Sequence, residues 1–446
     1  MKIAFVNQPF DTVVPPGQNS VGYYTYGVAC PLAKSCDVLI YGLQDSHSGE
    51  RAELCRPQPT LRFLPSVRSD IWRYQARTKL GKVMGIKAPL STSELLFPEY
   101  GRQVAMDLQE QQCDIIHIQH CSQYVPLIRA MNPQARIVLQ IHAEWFSQSS
   151  YQQLARRLED VDLLLTVSDH ITRKCQKDFP AVADRCETMY YGISPAEFDH
   201  DKDYGAVARR REKRILYTGA VSPQKGVHVL VDAFRFVVQQ YPNVRMDLVG
   251  NAANYPIEES FDLKDKAALK GVAPLYAKHP FQRLLVKLSL AAPEAGTYRA
   301  YMTRGLPPEV LAKIHFRGHF SLRQDLVEAY YDADVFAFTP VWEEGFGIPP
   351  LEAMAAGTPV LGSRSGALPE TIREGQTGLL SDKNDSQELA RQILRLLKDD
   401  DLRQAMGQAA RRRSLEFYTW DRIAGQLKGR YEDLCGVQSG MQVSAQ

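Results

Sequence analysis

Residues 335–357 read VFAFTPVWEEGFGIPPLEAMAAG. An apolar strand-like run ends near Pro340, a turn follows through Gly345 and Gly347, and a helix opens near Pro349 or Pro350. Proline suits a first helical turn, where its missing N–H has no partner to lose. Glycines at 345 and 347 let backbone amides approach a ligand closely. Those amides, added to the positive end of the helix dipole, form an anion site without needing side chains. Glu344 sits before the turn and Glu352, eight positions on, inside the helix. The two carboxylates therefore face different parts of one bound molecule, and accepting hydrogen bonds from sugar hydroxyls is a use that fits both.

Outward from this segment the strand–helix alternation fills the chain and restarts midway. Strand candidates are 2–7, 37–43, 114–120, 136–142, 163–168 and 187–191, then 214–218, 245–249, 314–318, 335–338 and 359–362. Helical stretches such as 21–32, 98–112, 151–160, 169–178 and 226–239 lie between them. Several strands are continuous apolar runs, as expected of parallel strands covered on both faces. The expected fold is α/β, with two Rossmann-like domains facing across a cleft at the carboxyl ends of their strands, where open sheets bind ligands. The expected domains are 1–200 and 201–414, with 199–214 (DHDKDYGAVARRREKR) as a polar linker and an insertion at about 251–311. Segment 415–446 reads as a helix at 415–434 plus a tail, the helix being able to pack on either domain, the N-terminal one included.

Composition bounds the function. Of 446 residues 44% are apolar, enough for a large core, so neither disorder nor a fibrous repeat fits. Lys and Arg total 53 against 51 Asp and Glu, which leaves no electrostatic footprint for nucleic acid. No apolar stretch approaches the roughly 20 residues of a membrane helix, and no secretion signal opens the chain, so a cytoplasmic protein is expected. The eight cysteines show no C-x-x-C pair and no zinc spacing, and are expected as small buried hydrophobes rather than a disulfide framework. Within the unusual stretch 65–96, Arg68, Arg73, Arg77, Lys79, Lys82 and Lys87 surround Trp72 and Tyr74, and between 68 and 87 Asp70 is the only acid. It reads as a solvated helical face, as a site for an anionic or lipid-linked acceptor with peripheral contact at the inner face of the membrane, or as a subunit contact.

At the other strand ends stand Asn7, Gln8, His120 and His142, then 219–225 and Ser363-Arg364. Such a set is polar, partly basic and carboxylate-bearing, which suits a phosphorylated, hydroxyl-rich ligand. Lys225, in SPQKG after a strand end, fits a phosphate contact. His117 and His120, three apart on a strand, point to opposite faces and do not share a metal. His319, following FRG, can line a base pocket.

The string around Glu344 resembles the two-glutamate motif of the retaining, nucleotide-sugar-dependent glycosyltransferases of family 4, which have the two-domain GT-B fold. The resemblance extends to PPGQNSVGYYTYGVACPLAK (15–34), RIVLQIHAEW (136–145), LLLTVSDHITRKC (163–175), MYYGISPAEF (189–198), ILYTGAVSPQKGVHVLVDAF (215–234) and GTPVLGSRSGALPETIREGQTGLL (357–380). It implies that Glu344 contacts donor-sugar hydroxyls. The amides of Gly345, Phe346 and Gly347, with Ile348 beside them, would hold the sugar or distal phosphate, and Glu352 the ribose. Gly219 opens the donor loop, and Lys225 neutralises the diphosphate as charge develops on the leaving group. His142 would reach the donor sugar, its backbone carbonyl near the anomeric carbon. Asn19, Ser20, Gly22, His120, Arg317, Gly318, His319 and Arg364 are lesser candidates.

The implied reaction moves a hexose from a nucleoside-diphosphate sugar to a hydroxyl of a sugar, lipid-linked or small-molecule acceptor in glycoconjugate synthesis. Anomeric configuration is retained, the acceptor's proton passes to the leaving phosphate, and no nucleophilic side chain, cofactor or metal is required. Ala220 stands where the family usually has arginine, with Arg317 or Arg364 as substitutes, and Asn19-Ser20 stand where two glycines are usual. A sugar-nucleotide epimerase of the same fold and a catalytically weak nucleotide-sugar-binding subunit are the alternatives. Glycoside hydrolysis fits poorly: retaining hydrolases hold their carboxyls about 5 Å apart, whereas eight helical positions span roughly 12 Å.

Overall fold

The computed structural model describes residues 1–15, 17–44, 55–84, 96–143, 151–252, 295–320 and 322–436. Most of the insertion expected at about 251–311, Lys87 and the tail 437–446 lie outside the described residues, as do the side chains of Arg77, Lys79 and Lys82. The chain divides into two compact units, one formed by residues 1–80, 88–192 and 419–446, the other by 81–87 and 193–418.

The first unit is built on a seven-stranded sheet in the order β3-β2-β1-β4-β5-β6-β7. Its strands are β1 (Lys2–Val6), β2 (Asp37–Leu43), β3 (Thr60–Leu64), β4 (Ile115–Gln119), β5 (Arg136–Ile141), β6 (Leu163–Thr166) and β7 (Cys186–Thr188). The second unit has β8 (Lys213–Thr218), β9 (Val244–Val249), β10 (Ile314–Gly318), β11 (Val335–Phe338), β12 (Val360–Ser363) and β13 (Gly378–Ser381), in the order β10-β9-β8-β11-β12-β13. Every pairing between these strands is parallel, with Ile3 opposite Ile115 in the first sheet and Phe336 opposite Val360 in the second. β4 is buried throughout, and so is β6. That burial on both faces is why these segments read as unbroken apolar runs. Helices cover the sheets by apolar stripes; Ser386–Lys398 buries Leu389, Ile393 and Leu396, at spacings of four and three. Each such side chain contributes roughly 2 kcal/mol of burial.

Three expectations need correction. The run 199–214 is not a linker, because the units divide at 192/193 and this run folds onto the second unit. It contains the helix Tyr204–Arg209 and the buried Lys202, whose ammonium donates to the carbonyls of Tyr331 and Ala333 and to Thr358 Oγ1. Those carbonyls close the helix Arg323–Asp332, whose negative dipole end favours a cation; burial nevertheless pushes the Lys202 pKa down to about 7.

The second correction concerns 415–434, which is not one helix. Asp400–Phe417 ends at Tyr418, and Thr419 caps a new helix, Trp420–Leu434, accepting a bond from Arg422 N. This last helix packs on Ser20–Leu32 of the first unit. There Trp420 lies so close that a Cβ at Gly27 would sit 2.3 Å from its ring, and Tyr431 meets His117 Nδ1 at 2.6 Å.

Third, two cysteines are not free thiols. Cys30 and Cys55 form a disulfide, tying the helix Ser20–Leu32 to the segment before β3. Among the described residues no helix is long and apolar enough to cross a membrane.

Candidate functional site

In the second unit the site begins where β8 ends. Gly219 takes φ +131, and Tyr217 Oη donates to the Ala220 carbonyl at 2.7 Å. A short 3-10 turn, Pro223–Lys225, then ends at Gly226, whose φ of +65 suits glycine. Val341 N donates to the Gln224 carbonyl at 3.0 Å, fastening this turn against the chain leaving β11. Lys225 thereby reaches Glu344: Nζ lies 2.7 Å from Oε2. The ammonium also lies 4.7 Å from the centre of the Trp342 ring, and the Trp342 indole N–H donates to the same Glu344 oxygen at 3.0 Å. Glu344 is buried, its N–H bonded to Ser365 Oγ and its carbonyl to Ala367 N. Its neighbour Glu343 turns elsewhere, accepting from Gly366 N and Lys383.

Past Glu344, Gly345 is half-buried and Phe346 is buried, its ring 6.2 Å from that of Tyr418. Gly347, at φ +97, is the N-cap of the helix Ile348–Ala355 and offers no side-chain cap. Pro349 and Pro350 in that helix's first turn carry no N–H. The amides available at this helix mouth are therefore those of 345–348, which narrows the anion site to the turn itself.

Glu352 lies within the helix at 4% exposure with its own partners. Tyr330 Oη donates to Oε2 at 2.8 Å, and Arg323 Nη2 lies 2.6 Å from Oε1. Burial first, and then the Glu352 charge, hold the Tyr330 hydroxyl well above its ordinary pKa, so it stays a donor. The two glutamates thus have separate partner sets. Arg317 is exposed, 3.7 Å from Asp247 and near the Phe320 ring; Gly318 takes φ +67 and His319 is exposed. Arg364 is paired with Glu374 and Asp382.

In the first unit Asn19 caps the helix Ser20–Leu32: Oδ1 accepts from Gly22 N, and Nδ2 donates to Asp11 Oδ1, both at 2.8 Å. A Cβ at Gly22 would lie 1.9 Å from the Thr12 carbonyl oxygen, so this helix start is pressed against the 11–13 backbone, while Ser20 is exposed. Burial pushes the Asp11 pKa up to about 7, against the opposing bonds from Asn19 and Gln8. His120, at the end of β4, has the left-handed φ of +60, a strained setting for a residue other than glycine. Its ring centre is 5.0 Å from that of His142. His142 has Nδ1 2.7 Å from Tyr191 Oη and Nε2 2.6 Å from Gln119 Oε1. Burial, then His120 and His117, keep this ring neutral at physiological pH. A neutral ring donates from Nε2 and accepts at Nδ1. His117 turns to Tyr431, and among the described residues no group of metal-ligating side chains is found.

The sequence did not single out Trp342, Ser365, Arg323, Tyr330, Asp11 or Tyr191. Trp342 stands inside the motif and could have been read from its place; the others are brought in by folding alone.

Two parallel sheets of this layout recur in solved structures. Sucrose-phosphate synthase from Thermosynechococcus elongatus superposes with a TM-score of 0.67 at 19% identity, over 98% of this chain and 100% of that one. Anabaena HepE in complex with UDP-glucose gives 0.60 at 18%, over 97% and 100%. The fold is therefore that of the GT-B glycosyltransferases. Two family descriptions match the sequence, Glycosyltransferase Family 4 over residues 21–197 and Glycosyl transferases group 1 over 308–413. Spore coat protein SA of Bacillus subtilis (strain 168) is 25% identical over 347 residues, 75% of this chain and 82% of that protein. The chain belongs to family 4 of the glycosyltransferases, and it transfers sugar from a nucleotide-sugar donor.

Proposed function

We propose that the enzyme transfers a hexose from a nucleoside-diphosphate hexose to an acceptor hydroxyl with retention of configuration and without a metal. The observation that carries this reading is the meeting of Lys225 and Glu344, 119 positions apart, at 2.7 Å beside the 345–348 amides. A diphosphate sugar suits both members of the pair, the phosphate taking the ammonium and the sugar hydroxyls the carboxylate. Glu352 accepts the ribose hydroxyls. The bond from the anomeric carbon to the phosphate oxygen breaks as the acceptor oxygen bonds to the same face. The acceptor's proton goes to the departing phosphate, whose charge Lys225 and the turn amides offset in place of a metal ion. Both ring nitrogens of His142 are engaged within the first unit, by Tyr191 Oη and Gln119 Oε1, which leaves its backbone carbonyl rather than its ring for a donor contact.

A uridine diphosphate hexose is the first donor to try, since HepE has been crystallised with UDP-glucose. In a panel of uridine, guanosine and adenosine diphosphate sugars, one donor plus acceptor is expected to release free diphosphate at a rate EDTA leaves unchanged. The product is expected to keep the donor's anomeric configuration by NMR. Release that no acceptor stimulates, loss of activity with EDTA, or an inverted product each overturns the reading.

On the acceptor side we propose an anionic, lipid-linked molecule and peripheral contact with an anionic membrane. The helix Arg68–Met84 exposes Trp72 (69%), Ile71, Arg68 and Arg73. Its one acid, Asp70, is buried, accepting from Glu99 N and Tyr100 N at the start of Pro98–Gln111, and it stands 4.0 Å from the guanidinium of Arg73, so one carboxylate faces at least two exposed arginines. An exposed tryptophan among basic residues fits a lipid interface. Sedimentation with phosphatidylglycerol vesicles at low salt is expected to exceed that with phosphatidylcholine several-fold, and Trp72→Ser to reduce it. Equal partition into both vesicle types, or none, rejects the contact.

A further inference from the structure

We propose that Arg323 is a positioning residue for the donor's ribose: it holds the Glu352 carboxylate in the setting that accepts the ribose hydroxyls. Arg323 thereby sets the preference for ribonucleotide over 2′-deoxyribonucleotide donors. This rests on the reading of Glu352 as the ribose acceptor.

The family's usual arginine after the donor-loop glycine is replaced here by Ala220, and the two arginines that could stand in for it are engaged elsewhere, Arg317 with Asp247 and Arg364 with Glu374 and Asp382. Arg323, the first residue of the helix Arg323–Asp332, is the arginine that meets a motif carboxylate. Its Nη2 lies 2.6 Å from Glu352 Oε1 and 2.7 Å from Glu197 Oε2, and Nε donates to that Glu197 oxygen at 3.1 Å. Glu197 thus anchors the guanidinium from one side while Glu352 takes it on the other.

The second Glu352 oxygen is pinned independently by Tyr330 Oη, which in turn meets Thr218 Oγ1 at the end of β8 at 2.7 Å. Each oxygen is therefore fixed by one donor from a rigid element. An ionised carboxylate has about four acceptor sites, so each oxygen keeps one, a pair spaced for a vicinal diol. One arginine between two glutamates leaves the group anionic overall, as a hydroxyl acceptor needs. A nearly buried carboxylate stays charged and oriented only while paired. Without Arg323 one oxygen loses the donor that fixes it, and the carboxylate is free to turn out of that setting.

The test uses the full chain with uridine and guanosine diphosphates and their 2′-deoxy counterparts, affinities being read by calorimetry and donor KM and kcat by diphosphate release. The wild type is expected to prefer the ribonucleotide by about tenfold or more, the worth of a hydrogen bond to a charged acceptor. Arg323→Met is expected to bring that ratio near unity and to raise donor KM, with kcat little changed. Arg323→Lys, which restores the charge, recovers part of the ratio. Should Arg323→Met fail to fold, Arg323→Gln gives the same readout. A preserved ratio in a folded Arg323 variant, with Glu352→Ala abolishing it, overturns the role of Arg323. A ratio that Glu352→Ala leaves intact instead removes Glu352 from the ribose, overturning the underlying reading as well.

Discussion

Lys225→Ala is expected to lower turnover by about 10²–10³-fold, the usual cost of losing one preorganised charge from a leaving-group site. The departing diphosphate gains charge as the anomeric bond breaks, and in the proposed site Lys225 is the cation beside the turn amides. Since position 220 is alanine, the loop itself carries no second cation to share the task. The same change removes a partner from Glu344, whose side chain is only 10% exposed. Leaving a mostly buried carboxylate with only the Trp342 indole N–H destabilises the second unit, so loss of activity alone is ambiguous. The double variant Lys225→Ala, Glu344→Gln, set beside Glu344→Gln alone because Glu344 itself holds the donor sugar, separates the effects. Its melting temperature is expected to recover toward wild type, while turnover stays low and free nucleotide binds weakly by calorimetry. A double variant that regains activity would place the lysine's role in folding rather than in transfer.

Gly226→Ala is expected to be the most damaging single-methyl change in the second unit. A Cβ there would lie 1.8 Å from the Thr339 carbonyl oxygen, a backbone atom just past β11 that cannot swing away. The residue also sits at φ +65, where a side chain costs about 1–2 kcal/mol before any clash. With overpacking added, a loss on the order of 3 kcal/mol is expected. For a unit of this size that is a fall of about 6–12 °C in melting temperature by calorimetry. Moving the turn also moves Lys225, and a displacement of about 1 Å at a reacting site can cost 10²-fold in rate. Gly305→Ala is the control: φ is +73 but nothing stands within 4 Å, so it should show the conformational cost alone. Equal melting shifts for the two variants would refute the steric account.

Most strands were legible because parallel strands buried on both faces leave continuous apolar runs, as ILY in β8 and VFAF in β11 do, but the edge strands β3 and β13 were not among those expected. The glycine turn was legible because 345, 347 and the prolines of 349–350 each have one local use. What escaped depends on contacts distant in sequence. The Cys30–Cys55 bond spans 25 residues with no local signal. The charged run 199–214 looks solvated, yet Lys202 is buried because carbonyls more than 120 positions away receive it. The break at Tyr418 hides inside an even helical pattern, where only Thr419 hints at a cap. Arg323 is one arginine among many until the fold lays it against Glu352.

The closing helix has a further consequence for biosynthesis. Residues 1–192 leave the ribosome 227 positions before Thr419 begins the segment that inserts Trp420 and Tyr431 into their core. At 5–20 residues per second that gap lasts roughly 11–45 s. Nascent chain therefore waits with an unfilled apolar seam on the helix Ser20–Leu32, and the later-made lobe, contiguous in sequence apart from 81–87, can mature first.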